Sequence, residues 1–321
     1  MITQDIMFKH VSCQIKNCVV IRLNIICTPP FEKIVPEIRK GMIFQECFRK
    51  YNYLTRLPIS FHRYIIPFMK KALTIAGFDP SGGAGIQADL KVFHALEIYG
   101  LSVVSSLTAQ NTGGVNDIMP VPERFVKKQL TVLLSDLVPE ATKTGLLCSE
   151  AHVEVVAYII KKYSLINIVV DPVIVSSSGR RLVEKNTPVA MKKKLFPFCK
   201  VITPNIYEAS VLTGINIRST ADMQEAAVLL KDCGPEHIII TGGHLEDVAL
   251  DILYDGKFHY LKSRKVSGEY HGTGCIFSAA LTAMLARGYS VLDAAKEAKK
   301  FMNRAFRKTF HAGRKMRLFR I

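Results

Sequence analysis

From Lys70 onward the chain alternates short, nearly unbroken apolar runs with helical patterns, and this alternation restricts the fold more than any other feature. The clearest runs are Ala72–Ala76, Leu101–Leu107, Ile166–Asp171 and His237–Thr241, with further short strands expected near Thr142–Leu147 and Lys200–Thr203. A strand that is apolar throughout, and not only at every second position, is one covered on both faces. Between the runs, Ile86, Leu90, Phe93 and Leu96, then Val126, Leu130, Leu133 and Leu137, recur at helical spacing. Strand and helix in alternation predict an α/β fold with a mainly parallel sheet between two helical layers. Helices are expected at about 122–137, 153–163, up to 195, 274–287 and 290–311. Asp255-Gly256 between Ala249–Tyr254 and Phe258–Leu261 predicts a hairpin.

Charge and cysteine usage narrow the partners. The net charge of +16 would ordinarily suggest a nucleic-acid or anionic-membrane partner. It is concentrated at the two ends: residues 1–69 and 296–321 carry nearly all of it, and about +1 remains for everything between. No nucleic-acid partner is therefore expected of the body. The 8 cysteines show neither CxxC pairs nor zinc-type spacing with histidine, which favours a reducing, cytoplasmic setting. Arg22 and Pro29-Pro30 interrupt the longest apolar stretch, so no membrane span is predicted. Residues 1–69 sustain no period beyond a strand over Cys18–Cys27. They are expected to be a disordered extension, or to precede a true start at Met69, with 70–311 as the folded domain and 312–321 as a basic tail.

The loops carry the chemistry. Gly77 to Gly85 joins a strand to a helix, and Gly83-x-Gly85-x-x-Ala88 satisfies a loose dinucleotide fingerprint. The next strand, however, ends in Thr108-Ala109-Gln110-Asn111-Thr112 and offers amides where a ribose would require a carboxylate. No Gly-Lys-Ser/Thr closes the loop as in a Walker-type site. Asp171 ends a strand, where α/β sheets gather ligands; a loop cap would explain it equally. Asn205 and Glu208 have capping-box spacing, and a carboxylate so placed also suits a hydrated Mg²⁺. His271-Gly272-Thr273-Gly274-Cys275 opens onto an alanine-rich helix, whose N-terminus presents free N–H groups to an anion. At that position the helix dipole is expected to lower the pKa of Cys275; the alternative is a small packing residue.

Taken together, these segments resemble the hydroxymethylpyrimidine and phosphomethylpyrimidine kinases of thiamine biosynthesis, in the ribokinase superfamily. The matching motifs are Ala72–Gly77, Asp79–Lys91, Ala109–Thr112, Lys143-Thr144-Gly145, Asp171-Pro172-Val173, Thr203-Pro204-Asn205 with Glu208, and His271–Cys275. The resemblance implies a ribokinase-like three-layer α/β/α fold and an ATP- and Mg²⁺-dependent kinase, commonly a homodimer. Its substrate would be 4-amino-5-hydroxymethyl-2-methylpyrimidine and then the monophosphate of that compound. It places Gly77, Asp89 and Gln110 in the pyrimidine pocket and Gly272, Thr273, Gly274 and Cys275 in the anion hole, with Cys275 as base. Asp171, Asn205 and Glu208 fall on the nucleotide side, Asp171 and Glu208 facing the metal. A pyridoxal kinase on the same scaffold is the closest rival, against which Gln110 argues; a non-catalytic pyrimidine-binding regulator is the other. Phe78, Leu146 and an ending without Gly-Pro-Val depart from the family pattern.

Overall fold

The computed structural model describes residues 10–15, 18–23, 69–176, 178–243 and 248–321. Two units are distinguished, Met1–Pro67 and Phe68–Ile321. In the first, β1 (His10–Ile15) and β2 (Cys18–Leu23) pair antiparallel. The other expectations for the N-terminal extension fall outside the described residues.

The second unit opens with β3 (Lys71–Phe78), α1 (Gly85–Ala95), β4 (Tyr99–Asn111), β5 (Gly114–Pro120) and α2 (Glu123–Leu134). Then come β6 (Ala141–Thr144), α3 (Glu150–Tyr163), β7 (Ile168–Val170), the short α4 (Thr187–Ala190), β8 (Val201–Ile202), α5 (Ile206–Thr213) and α6 (Thr220–Lys231). β9 (His237–Gly242), β10 (Val248–Tyr254), β11 (Phe258–Arg264), α7 (Thr273–Ala286), α8 (Val291–Phe306), β12 (Thr309–Phe310) and β13 (Leu318–Phe319) complete it. The main sheet has 9 strands in the order β11-β10-β9-β8-β7-β6-β3-β4-β5. Strands β9 to β4 of that order run parallel, and the antiparallel partners β10–β11 and β5 close the two edges.

Period-two geometry splits each apolar run between two cores. Leu73, Ile75, Ile238 and Ile240 enter the core shared with Leu130, Val156, Ile159 and Phe196. Ala72 and Ile239 enter the opposite one, with Val92, Phe93, Phe277, Leu281 and Ala294. The sheet thus lies between helical layers, as the uninterrupted strands predicted. Truncating a fully buried aromatic such as Phe93 to alanine costs roughly 3–5 kcal/mol, enough to threaten a domain of ordinary stability. None of the described helices is long and apolar enough to cross a membrane.

Three elements differ from expectation. β4 runs on to Asn111 because β5, which the sequence pattern did not reveal, pairs with its far end. The helix expected up to Leu195 is interrupted: α4 passes into a π turn at Met191–Leu195 and a 3₁₀ turn at Phe196–Phe198. Residues 312–321 are not a tail. β12 and β13 pair, and Met316, Leu318 and Phe319 are buried. Basic composition concealed the apolar residues Met316, Leu318 and Phe319 in that stretch.

Candidate active site

The candidate residues converge beyond the carboxyl ends of β3, β6, β7 and β8, and backbone packing sets their spacing. Gly272, the N-cap of α7, has φ +85, and a Cβ there would lie 1.9 Å from the carbonyl oxygen of Gly83. Gly85 has φ +57, and its Cβ would lie 2.3 Å from the Gly77 carbonyl. Only glycine permits both the left-handed backbone and these approaches, so the loops after β3 and before α7 meet main chain to main chain. No side chain caps α7. Its first intrahelical bond, Ile276 N–H to Gly272 C=O at 2.9 Å, leaves the N–H groups of Thr273, Gly274 and Cys275 for an anion.

Asp79 ties these loops together. Its Oδ1 accepts from the N–H and hydroxyl of Ser81 at 2.8 and 2.7 Å, and its Oδ2 from the N–H groups of Gly83 and Ala84 at 3.0 and 2.8 Å. Oδ2 also lies 2.9 Å from Nε2 of His271. Burial opposes the charge, but His271, Gln110 and Ser81 outweigh it and hold the carboxyl well below the usual range. Gln110, half-buried at the far end of β4, places its Nε2 3.5 Å from the same histidine nitrogen. Gly77 lies under Leu146, whose Cδ2 would be 3.3 Å from a Cβ at position 77. Leu146, one of the departures from the family pattern, therefore forms a wall at the expected substrate position. Phe78, in contrast, is exposed.

Asp89 is engaged within the fold. The resemblance places it in the pyrimidine pocket; it is fully buried, with Oδ2 accepting from Thr74 at 2.6 Å and Oδ1 from Lys143 at 2.7 Å. Each oxygen thus already has one partner inside the fold. The Lys143 ammonium, itself 0% exposed, also stands 3.8 Å from Oδ2 of Asp171, so it bridges the two carboxylates. Burial alone would depress the lysine's pKa; the anionic neighbours, Asp89 foremost, carry it above its ordinary value.

Asp171 is buried and accepts a hydrogen bond from Ser278 at 2.9 Å. Asn205 and Glu208 form the capping box of α5: the Asn205 side chain accepts from Glu208 N–H, and Glu208 Oε2 accepts from Asn205 N–H, each at 2.9 Å. Burial, then the charge of Asp171, pushes Glu208 well above its usual pKa; burial raises Asp171 as well. Asp89 and Asp171 thus share one ammonium, and the charge of Asp171 also bears on the buried Glu208, an arrangement that favours a cation.

The expected activation of Cys275 is corrected. Its thiol sits at the helix terminus as anticipated and receives a hydrogen bond from the Gly85 backbone, but burial first, with Asp171 and Asp89 adding to it, pushes its pKa up to about 12 against the pull of Lys143. Desolvation and two nearby carboxylates overcome the helix dipole. Cys275 is a neutral thiol near pH 7.

Asp79, Lys143, His271 and Ser278 belong to the site although the spacing of the sequence gave three of them no separate role and left that of His271 undecided. A signal existed for Asp79, which precedes Pro-Ser-Gly-Gly as loop-organising aspartates do. Lys143 stands in a matched motif without a role of its own, and no local signal marks Ser278, because the partners of both are distant in sequence.

Comparisons with known proteins agree with this geometry. The family model described as phosphomethylpyrimidine kinase matches residues 79–319. The hydroxymethylpyrimidine/phosphomethylpyrimidine kinase of Bacillus subtilis is 40% identical over 247 residues, covering 76% of this chain and 91% of that protein. A probable thiamine biosynthetic bifunctional enzyme of Oryza sativa is 42% identical over 238 residues, 73% of this chain and 43% of its own length. Among solved structures, phosphomethylpyrimidine kinase from Clostridium difficile is 38% identical with a TM-score of 0.66, covering 74% of this chain and 99% of that one. The pyridoxal kinase from Staphylococcus aureus in complex with AMP-PCP and pyridoxal is 35% identical with a TM-score of 0.73, covering 78% and 93%.

Proposed function

The chain belongs to the phosphomethylpyrimidine kinase family, and from that premise we propose how its own residues carry out the reaction. It is an ATP-dependent phosphotransferase acting on 4-amino-5-hydroxymethyl-2-methylpyrimidine and then on the monophosphate, giving the pyrophosphate. The observation that carries this reading is the meeting of Gln110 and the uncapped α7 terminus through the Asp79–His271 contact. An amide for the aminopyrimidine edge then stands beside N–H donors for a phosphoryl group.

Phosphoryl transfer depends on positioning and electrostatics more than on covalent work by the protein. The N–H groups of Thr273, Gly274 and Cys275 hold the transferring phosphoryl oxygens, and the glycine contacts at 83 and 272 keep them in place. In a loose transition state the alcohol proton leaves late, when its oxygen is already bonding to phosphorus, and passes to an oxygen of the transferred phosphoryl group and from there to water, so a resident thiolate is not required. Cys275 then serves as a neutral hydrogen-bond partner to the attacking hydroxyl. The substrate monophosphate is ionised already and needs less from it.

Mg²⁺ fits the carboxylate side. Asp171 and Glu208 would hold it, with water and phosphate oxygens completing the shell; a bound Mg²⁺ neutralises phosphate charge. Burial raises both carboxyl pKa values, with Asp89 repelling Asp171 and Asp171 repelling Glu208, and this supports the reading. A homodimer and a cytoplasmic location belong to the same proposal, to be checked by light scattering and cell fractionation.

The pyridoxal reading draws on the Staphylococcus aureus structure, whereas Gln110 favours the pyrimidine. ATP consumption by one preparation with hydroxymethylpyrimidine, its monophosphate and pyridoxal separates the two. Turnover of both pyrimidines is expected, and turnover of pyridoxal alone would overturn the assignment.

A further inference from the structure

The C-terminal hairpin reaches three walls of the site. Arg317 is bonded on both sides of Tyr270: its N–H donates to Glu269 C=O at 2.9 Å, and its C=O accepts from His271 N–H at 3.0 Å. One residue earlier, Met316 N–H donates to Thr112 C=O at 3.2 Å, two positions beyond Gln110. One residue later, the buried Leu318 comes within 2.8 Å of where a Cβ on Gly83 would stand, on the loop that Asp79 organises. Rings anchor the base of this arrangement: Phe319 lies 5.7 Å from Tyr270 and 5.3 Å from Phe306.

The pattern is specific. The hairpin grips the residue before Gly272, the loop facing Gly272 and the turn after the expected pyrimidine-recognising amide. Each of those loops is glycine-rich, with Gly82, Gly83 and Gly85 in one, Gly113 and Gly114 in another, and Gly272 and Gly274 in the third. We propose that the β12–β13 hairpin is a strap that positions the phosphoryl-binding loop against the substrate wall, and that Leu318 is a positioning residue for the kinase reaction. The inference rests on the kinase reading of this same site. Misplacing reacting groups by about 1 Å costs on the order of a hundredfold in rate, so a slackened strap acts on turnover more than on nucleotide affinity.

The test compares the full chain with Leu318→Ala and Leu318→Met by amide hydrogen exchange over residues 269–275 and by steady-state kinetics with hydroxymethylpyrimidine. In Leu318→Ala, the His271 amide is expected to exchange at least about tenfold faster. The kcat should fall about tenfold or more with the ATP KM within about twofold of the parent. Leu318→Met, which refills the contact, restores both. An unchanged exchange rate at His271, or a kcat loss no larger than the loss of folded protein, overturns the proposal. Should Leu318→Ala not fold, Leu318→Val carries the same comparison. If the parent chain leaves hydroxymethylpyrimidine unphosphorylated, the functional reading fails, and exchange alone still decides whether the strap holds the loop.

Discussion

Asp79 Oδ2 lies 2.9 Å from His271 Nε2 although the residues are 192 positions apart, and this contact joins the substrate-side loop to the phosphoryl-side loop. Asp79→Asn keeps the shape but removes the charge and turns an NH₂ toward donors. A stability loss of about 1–3 kcal/mol is expected, from backbone N–H groups left poorly paired. Because the folded carboxyl is held below its unfolded value, its contribution is fully present above about pH 4 and lost as pH falls further toward the folded pKa. Denaturant unfolding of parent and variant should show a constant gap from pH 5 to 8 that narrows below about pH 4. A gap that widens in acid contradicts this role.

Cys275→Ala should slow phosphorylation of hydroxymethylpyrimidine more than that of its monophosphate, because only the alcohol must lose a proton. Alkylation of Cys275 by iodoacetamide should be slow at neutral pH and rise only as pH approaches the thiol's value of about 12. Equal losses in both transfers, or rapid neutral-pH alkylation, would sink the neutral-thiol assignment.

Lys143→Met removes the one ammonium between two buried carboxylates. Breaking such a pair costs roughly 3–5 kcal/mol, and adding Asp89→Asn should recover part of the loss by removing an unpaired charge. Chemical denaturation of the single and double variants measures this. Additive losses contradict the bridge.

Glu208→Gln separates the cap from the metal. Glutamine keeps an acceptor for the Asn205 N–H, so thermal stability should hold within about 0.5 kcal/mol. The Mg²⁺ concentration for half-maximal rate should rise about tenfold with loss of one carboxylate ligand. An unchanged Mg²⁺ requirement removes Glu208 from the metal side.

Gly272→Ala forces a Cβ onto the Gly83 carbonyl at a positive φ. Expected is a kcat loss of about a hundredfold from displaced N–H donors, read against ATP affinity by calorimetry. Near-parental turnover would show that the close approach is dispensable.

What sequence alone determined is local and periodic. Unbroken apolar strands dictated a sheet covered on both faces, and Asn205 and Glu208 declared their capping box by spacing. The glycines at 272 and 274 announced a helix terminus open to an anion. The tertiary structure decided whatever depends on neighbours far along the chain. Asp89 pairs with Thr74 and Lys143, Cys275 is kept neutral by burial, and His271 is held by Asp79. A segment that reads as a basic tail is folded against the site. Propensity and periodicity act within a few residues, whereas desolvation and charge pairing are fixed only when distant segments close around a group. Protonation states and hydrogen-bond partners therefore emerge with the packed fold.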